Sequence, residues 1–160
     1  MLKLYTTIDE QLYYWETWEQ DEKTAIIHWG MVGDKGDYRE IKSRMIGGFN
    51  NIVQAEIDRR LEEGYAEWDE DEQVSLEIEY KVDGSGTEAD LDKRHRLEEK
   101  LDEVLGWTGL GHCDGGSTGS GTMEVACRVV DFNIARQVIE ENLKDTEFAD
   151  YTRIFSLQEE

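Results

Sequence analysis

One stretch constrains the fold more than any other: Ala25-Ile26-Ile27-His28-Trp29-Gly30-Met31-Val32-Gly33-Asp34-Lys35-Gly36. Apolar and β-branched residues lead into a Trp-Gly step, and Gly33, Asp34 and Gly36 then supply the backbone freedom of a tight turn. The pattern predicts a strand over 24–32, a turn at 33–36 and a return strand over 37–43. Residues 1–7 and 11–19 read as two earlier strands joined through Asp9-Glu10. A helix over about 49–63 then places Phe49, Ile52, Val53, Ile57 and Leu61 on one face, with Gly64 as its C-terminal stop. The helix is expected to lie across the four-stranded sheet.

With those residues in place the first part of the chain resembles the WGR domain, named for a Trp-Gly-Arg signature. Trp29-Gly30 stands at the signature, Tyr13-Tyr14-Trp15-Glu16-Thr17-Trp18 is similar to the preceding aromatic strand, and Leu61-Glu62-Glu63-Gly64-Tyr65 looks like the closing Gly-Tyr. The resemblance covers about residues 1–70, with a WGR-like domain assigned to 1–66. Met31 stands where the family has its arginine. Because that arginine helps relatives pass a DNA-bound state to a poly(ADP-ribose) polymerase domain, no such activation is expected here. The resemblance implies that Trp29 belongs to a DNA-end-binding surface, and an indole can stack on a sugar or base. The residues themselves equally allow Trp29 to be a core aromatic, which is the reading adopted for Trp15.

Beyond an acidic linker at 67–73, the run Val74-Ser75-Leu76-Glu77-Ile78-Glu79-Tyr80-Lys81-Val82 alternates with period two and predicts a half-buried strand. Thr87 and Asp90 make a capping-box start for a helix with Leu91, Leu97, Leu101, Val104 and Leu105 inward and Gly106 at its end. A short strand at 107–113, a flexible hairpin loop at 115–121 and a strand at 122–130 follow. Asp131 caps a last helix carrying Ile134, Val138, Ile139 and Leu143, and a final strand is placed at 150–157. The fold class is therefore α+β, with a ferredoxin-like βαββαβ domain over 74–160.

Charge narrows the partners. The chain of 160 residues has 17 basic and 38 acidic residues, a net charge of −21. Residues 1–70 contain 8 basic and 16 acidic groups, and the remainder 9 and 22. Such a chain repels DNA and anionic membranes at long range and attracts basic proteins. One window runs the other way: Lys35, Arg39, Lys42, Arg44, Arg59 and Arg60 outnumber Asp37, Glu40, Glu56 and Asp58. The start of the chain has no secretory pattern and no stretch is long and apolar enough to span a bilayer, so a cytoplasmic protein without membrane contact is expected.

Candidate chemistry is sparse. His112-Cys113 has the residue types of a metal site or an activated thiol, yet neighbours on a strand face opposite ways. Cys113 and Cys127 are the only cysteines and show no framework of disulfides or paired ligands, and Cys127 reads as a core residue. The glycine-rich region 106–121 lacks the Gly-Lys-Ser/Thr ending of a phosphate loop, while Ser117, Thr118 and Ser120 make it a polar contact surface. No catalytic constellation and no cofactor site emerges. Two functions stay open. One is a non-enzymatic acidic adaptor, inhibitor or immunity-type protein that binds a basic partner. The other is DNA-end or nick binding through Trp29, Lys35, Arg39, Lys42 and Arg44. An exposed strand edge in the second domain would admit a homodimer.

Overall fold

The computed structural model describes residues 1–159. It is α+β, with two four-stranded antiparallel sheets in two compact units, Met1–Glu70 and Asp71–Glu160. No helix among the described residues is long and apolar enough to cross a membrane.

The first unit is a meander of β1 (Leu2–Ile8), β2 (Gln11–Asp21), β3 (Thr24–Met31) and β4 (Asp37–Lys42), followed by α1 (Asn50–Glu62). Asp9 and Glu10, both at positive φ, form the two-residue turn between β1 and β2, a geometry that matches the twist of paired strands. Leu4, Trp15, Ala25, Ile27, Ile41 and Phe49 form the core, and Val53 and Ile57 of α1 pack against it. Ile52 and Leu61, expected on the same face, are each 50 % exposed, because the apolar stripe of α1 is only wide enough to cover the sheet along Phe49, Val53 and Ile57. Gly64, at φ +97°, ends the helix: the amide of Tyr65 donates to the carbonyl of Arg60 and that of Gly64 to Leu61. The chain then returns to β1, where Ala66 pairs with Tyr5 and Trp68 meets the Tyr5 ring edge-on at 5.4 Å. Trp68, read from the sequence as linker, is thus packed within the first unit.

The second unit runs β5 (Val74–Lys81), α2 (Glu88–Trp107), β6 (Gly111–Gly119), β7 (Thr122–Val129), α3 (Phe132–Leu143) and β8 (Arg153–Phe155). Its strand order is β6-β7-β5-β8, the ferredoxin-like arrangement. Leu76, Ile78 and Tyr80 of β5 stand opposite Cys127, Val125 and Met123 of β7, and all six are buried. Leu97, Leu101 and Leu105 of α2 and Ala135, Ile139 and Leu143 of α3 complete the core. Thr87 and Asp90 close the capping box and Asp131 accepts from the Ile134 amide, as the sequence predicts.

Three boundaries differ from expectation. The stretch read as a flexible loop over 115–121 is strand as far as Gly119, and only Ser120 and Gly121, at φ +54° and +86°, form the turn. The reason is close packing: a Cβ on Gly116 would fall 2.5 Å from the Glu124 carbonyl and 2.9 Å from the Glu98 side chain, so glycine here admits neighbours rather than freedom. Helix α2 passes through Gly106 and ends at Trp107, and Gly109, at φ +67°, permits the closing bonds Leu110 N–H to Leu105 and Gly109 N–H to Gly106. The final strand spans Arg153–Phe155 alone, because Glu77–Glu79 is all of β5 that pairs with it.

Candidate functional site

Strand alternation sends the β3 residues to two different places. Ala25, Ile27 and Trp29 face the core beneath α1, and His28 faces the other side of the sheet. There His28 Nδ1 lies 2.9 Å from Glu16 Oε1, and Nε2 lies within hydrogen-bond reach of the Lys35 carbonyl and 3.2 Å from the Tyr14 hydroxyl. The Tyr14 hydroxyl donates to the Asp34 carbonyl at 2.8 Å, and burial, followed by the nearby Glu16 carboxylate, pushes its pKa well above the ordinary phenol value. The Lys3 ammonium stands 3.5 Å from the second Glu16 oxygen. This buried polar network ties β2 and β3 to the turn at 33–36. Sequence reading missed His28 because its partners lie seven to fourteen residues away.

On the α1 side a cleft of about 200 Å³ is lined by Trp15, Ile27, Trp29, Arg39, Glu56, Arg59 and Arg60. Arg39 on β4 donates to Glu56 at 2.8 Å and Arg59 donates to the same oxygen at 2.6 Å. Partial burial opposes the Glu56 charge, but the hydrogen bond and charge of Arg59, joined by Arg39 and Arg60, outweigh it and hold the carboxyl below its usual range. Arg60 pairs with Glu63 at 2.9 Å, so three guanidinium groups against two carboxylates leave a single excess positive charge beside a partly buried indole. The buried Arg60 Nε has no hydrogen-bond acceptor among the described residues.

Of the basic residues assigned to DNA binding from the sequence, Lys35, Arg39, Lys42 and Arg44, the fold brings only Arg39 to Trp29. Lys42 lies three residues from Arg39 on the same strand, hence on the opposite face, and pairs with Glu40 at 3.3 Å. Lys35 and Arg44 are exposed outside the cleft. Arg59 and Arg60, counted in the basic window of the sequence but not among its DNA-binding candidates, join the cleft as i+3 and i+4 neighbours of Glu56 on one helix.

In the second unit three of the α2 cations are held in ion pairs. Lys93 pairs with Asp150 at 2.7 Å, Arg96 with Glu147 at 2.6 Å, and Arg94 with Glu98 and the Thr118 hydroxyl. Glu88, Asp92, Glu99 and Glu103 recur at helical spacing on the exposed side, and Trp107, 38 % exposed, follows one turn beyond Glu103. The helix thereby presents exposed carboxylates, interrupted by the exposed His95 and Arg96, and ends in an indole.

The remaining candidates are committed within the second unit. Ser117 donates to Glu124 at 3.2 Å, Thr118 accepts from Arg94 at 2.8 Å, and Ser120 holds the β6–β7 turn. His112 is exposed opposite Arg128, whereas Cys113 is half-buried opposite Cys127. No group of three His, Cys, Asp or Glu residues with metal-binding placement occurs among the described residues. Comparison with known proteins finds no matching family model, curated protein or solved structure.

Proposed function

We propose that this is a non-enzymatic, cytoplasmic acidic protein that engages a basic protein in an adaptor, inhibitor or immunity-type role. The observation that carries this reading is the set of exposed acids Glu88, Asp92, Glu99 and Glu103 beside Trp107, on a helix where Lys93, Arg94 and Arg96 are each engaged in an ion pair. A partner rich in lysine and arginine would associate quickly and in a salt-dependent manner. Full-length protein used as bait in native cytosol at low salt is expected to retain basic proteins. Neutralising these acids (Glu88→Gln, Asp92→Asn, Glu99→Gln, Glu103→Gln) should reduce that capture by roughly tenfold or more. Retention of only neutral or acidic proteins, or capture indifferent to the four substitutions, rules this reading out.

A second reading is favoured by the Trp29 cleft. The WGR-like resemblance, the partly buried indole and the guanidinium groups of Arg39, Arg59 and Arg60 together suit the phosphate and sugar of a DNA end or nick. Lys35, Lys42 and Arg44 would then act through long-range attraction alone. Fluorescence anisotropy of a nicked, 5′-phosphorylated duplex with the full chain at low salt is expected to report binding that Trp29→Ala weakens by about tenfold or more. Arg59→Gln should weaken it and flatten its salt dependence. Absence of binding at low salt retires the nucleic-acid reading.

A further inference from the structure

The register of β6 against β7 sets the two cysteines of this chain directly opposite one another, Cys113 against Cys127. The phase of the ladder decides how close they come. The Val130 amide donates to the Leu110 carbonyl, so the hydrogen-bonded pairs are 110:130 and, two residues on, 112:128. Cys113 and Cys127 therefore form a non-hydrogen-bonded pair, and accordingly the Cys113 amide donates to Asp102 on α2 instead. In such a pair the Cα atoms lie about 4.5 Å apart, inside the range of about 4.4–6.8 Å that a disulfide bridges.

Three further observations bear on reactivity. Cys113 is half-buried and its thiol points to the Gly115 carbonyl at 3.9 Å, whereas Cys127 is buried. The neighbouring Cys127 thiol lowers the Cys113 pKa against the opposing effects of burial and of the Glu98 and Asp102 carboxylates, while the Cys113 thiol and burial push Cys127 upward. The backbone beside Cys113 has slack and access: a bulge sets Asp114 and Gly115 against the single residue Ala126, and nothing lies within 4 Å of where a Cβ on Gly115 would stand.

We propose that Cys113 and Cys127 are a dithiol pair that closes reversibly into a cross-strand disulfide, with Cys113 as the attacking sulfur. The oxidant is a small-molecule disulfide. The Cys113 thiolate attacks one of its sulfurs, the oxidant's S–S bond breaks, and the departing thiolate takes a proton. Cys127 then gives up its proton and attacks the Cys113 sulfur, expelling the second small thiol. Two protein thiols are oxidised by two electrons and one external disulfide is reduced to two thiols. In a reducing compartment the dithiol is the resting form. Closure staples β6, the edge strand of its sheet, to β7.

The test uses the folded, reduced full chain equilibrated with oxidised and reduced glutathione across a range of potentials, then acid-quenched, alkylated under denaturing conditions and weighed intact. The expected result is the loss of both alkylation sites together, with no glutathione attached and two hydrogen atoms missing. Oxidation should raise the melting temperature by more than about 5 °C, since the bridge removes loop-closure entropy from the unfolded chain. Cys127→Ala is expected to stop at a single glutathione adduct on Cys113. Cys113→Ser, on the edge strand and safe for folding, should leave Cys127 free at every potential. A wild-type chain that stays doubly alkylated throughout, or that accumulates the Cys113 adduct while Cys127 remains a thiol, overturns the proposal.

Discussion

Replacing His28 by alanine is expected to lower the unfolding free energy of the first unit by about 3–5 kcal/mol, the usual cost of removing one partner of a buried charge pair. Both imidazole nitrogens face oxygen atoms, Glu16 Oε1 on one side and the Lys35 carbonyl on the other. A carbonyl only accepts, so Nε2 donates to Lys35 while Nδ1 lies against the carboxylate. Alanine would leave the Glu16 carboxylate, 4 % exposed, with the Lys3 ammonium at 3.5 Å as its remaining ionic neighbour, and would release the turn carbonyl from its donor. Four of the five tryptophans (Trp15, Trp18, Trp29 and Trp68) lie in the first unit, so tryptophan fluorescence in a urea titration reports this loss with little contribution from the second unit. A double-mutant cycle with Glu16→Ala should return a coupling energy of about 1–3 kcal/mol. A single-mutant loss below about 1 kcal/mol would mean that the network is not what holds the turn.

That network marks the limit of what the sequence discloses. Local signals were readable because they act over three to six residues: the alternation of Val74–Lys81, the box of Thr87 with Asp90, the Asp131 cap, and Gly64 at the end of α1. The features nearest to function depend on register and packing instead. Glu16 looks like one more surface acid until β2 pairs with β3 and places it opposite His28. Arg59 and Arg60 join Arg39 only because α1 crosses the sheet over Trp29. The cysteines, fourteen positions apart, look unrelated until β6 lies against β7. The same stretch misleads by composition, since Gly116 reads as part of a mobile loop where it permits α2 and β7 to approach β6 closely.

Gly36→Ala is expected to be at least as damaging as the loss of His28, with a cost above about 4 kcal/mol, in the range that only a few named mechanisms reach. A Cβ at position 36 would stand 2.0 Å from the Trp29 carbonyl oxygen and 2.7 Å from the Tyr14 hydroxyl, and φ there is +65°. Gly30 is the counterpart, since its own Cβ would lie 2.8 Å from the Gly36 Cα. The Trp29-Gly30 step thus has a steric meaning independent of any ligand: the turn folds back onto the sheet, and both contact points must lack side chains. Gly84→Ala serves as the control, because φ is +56° but nothing lies within 4 Å, so only the backbone penalty of about 1–2 kcal/mol applies. Similar costs at both positions in urea titrations would show that the turn yields to the clash. If the clash instead displaces the turn, it draws the Lys35 and Asp34 carbonyls away from His28 and Tyr14. The double variant Gly36→Ala/His28→Ala should therefore lose markedly less than the sum of the two single losses, because each substitution dismantles the same clasp.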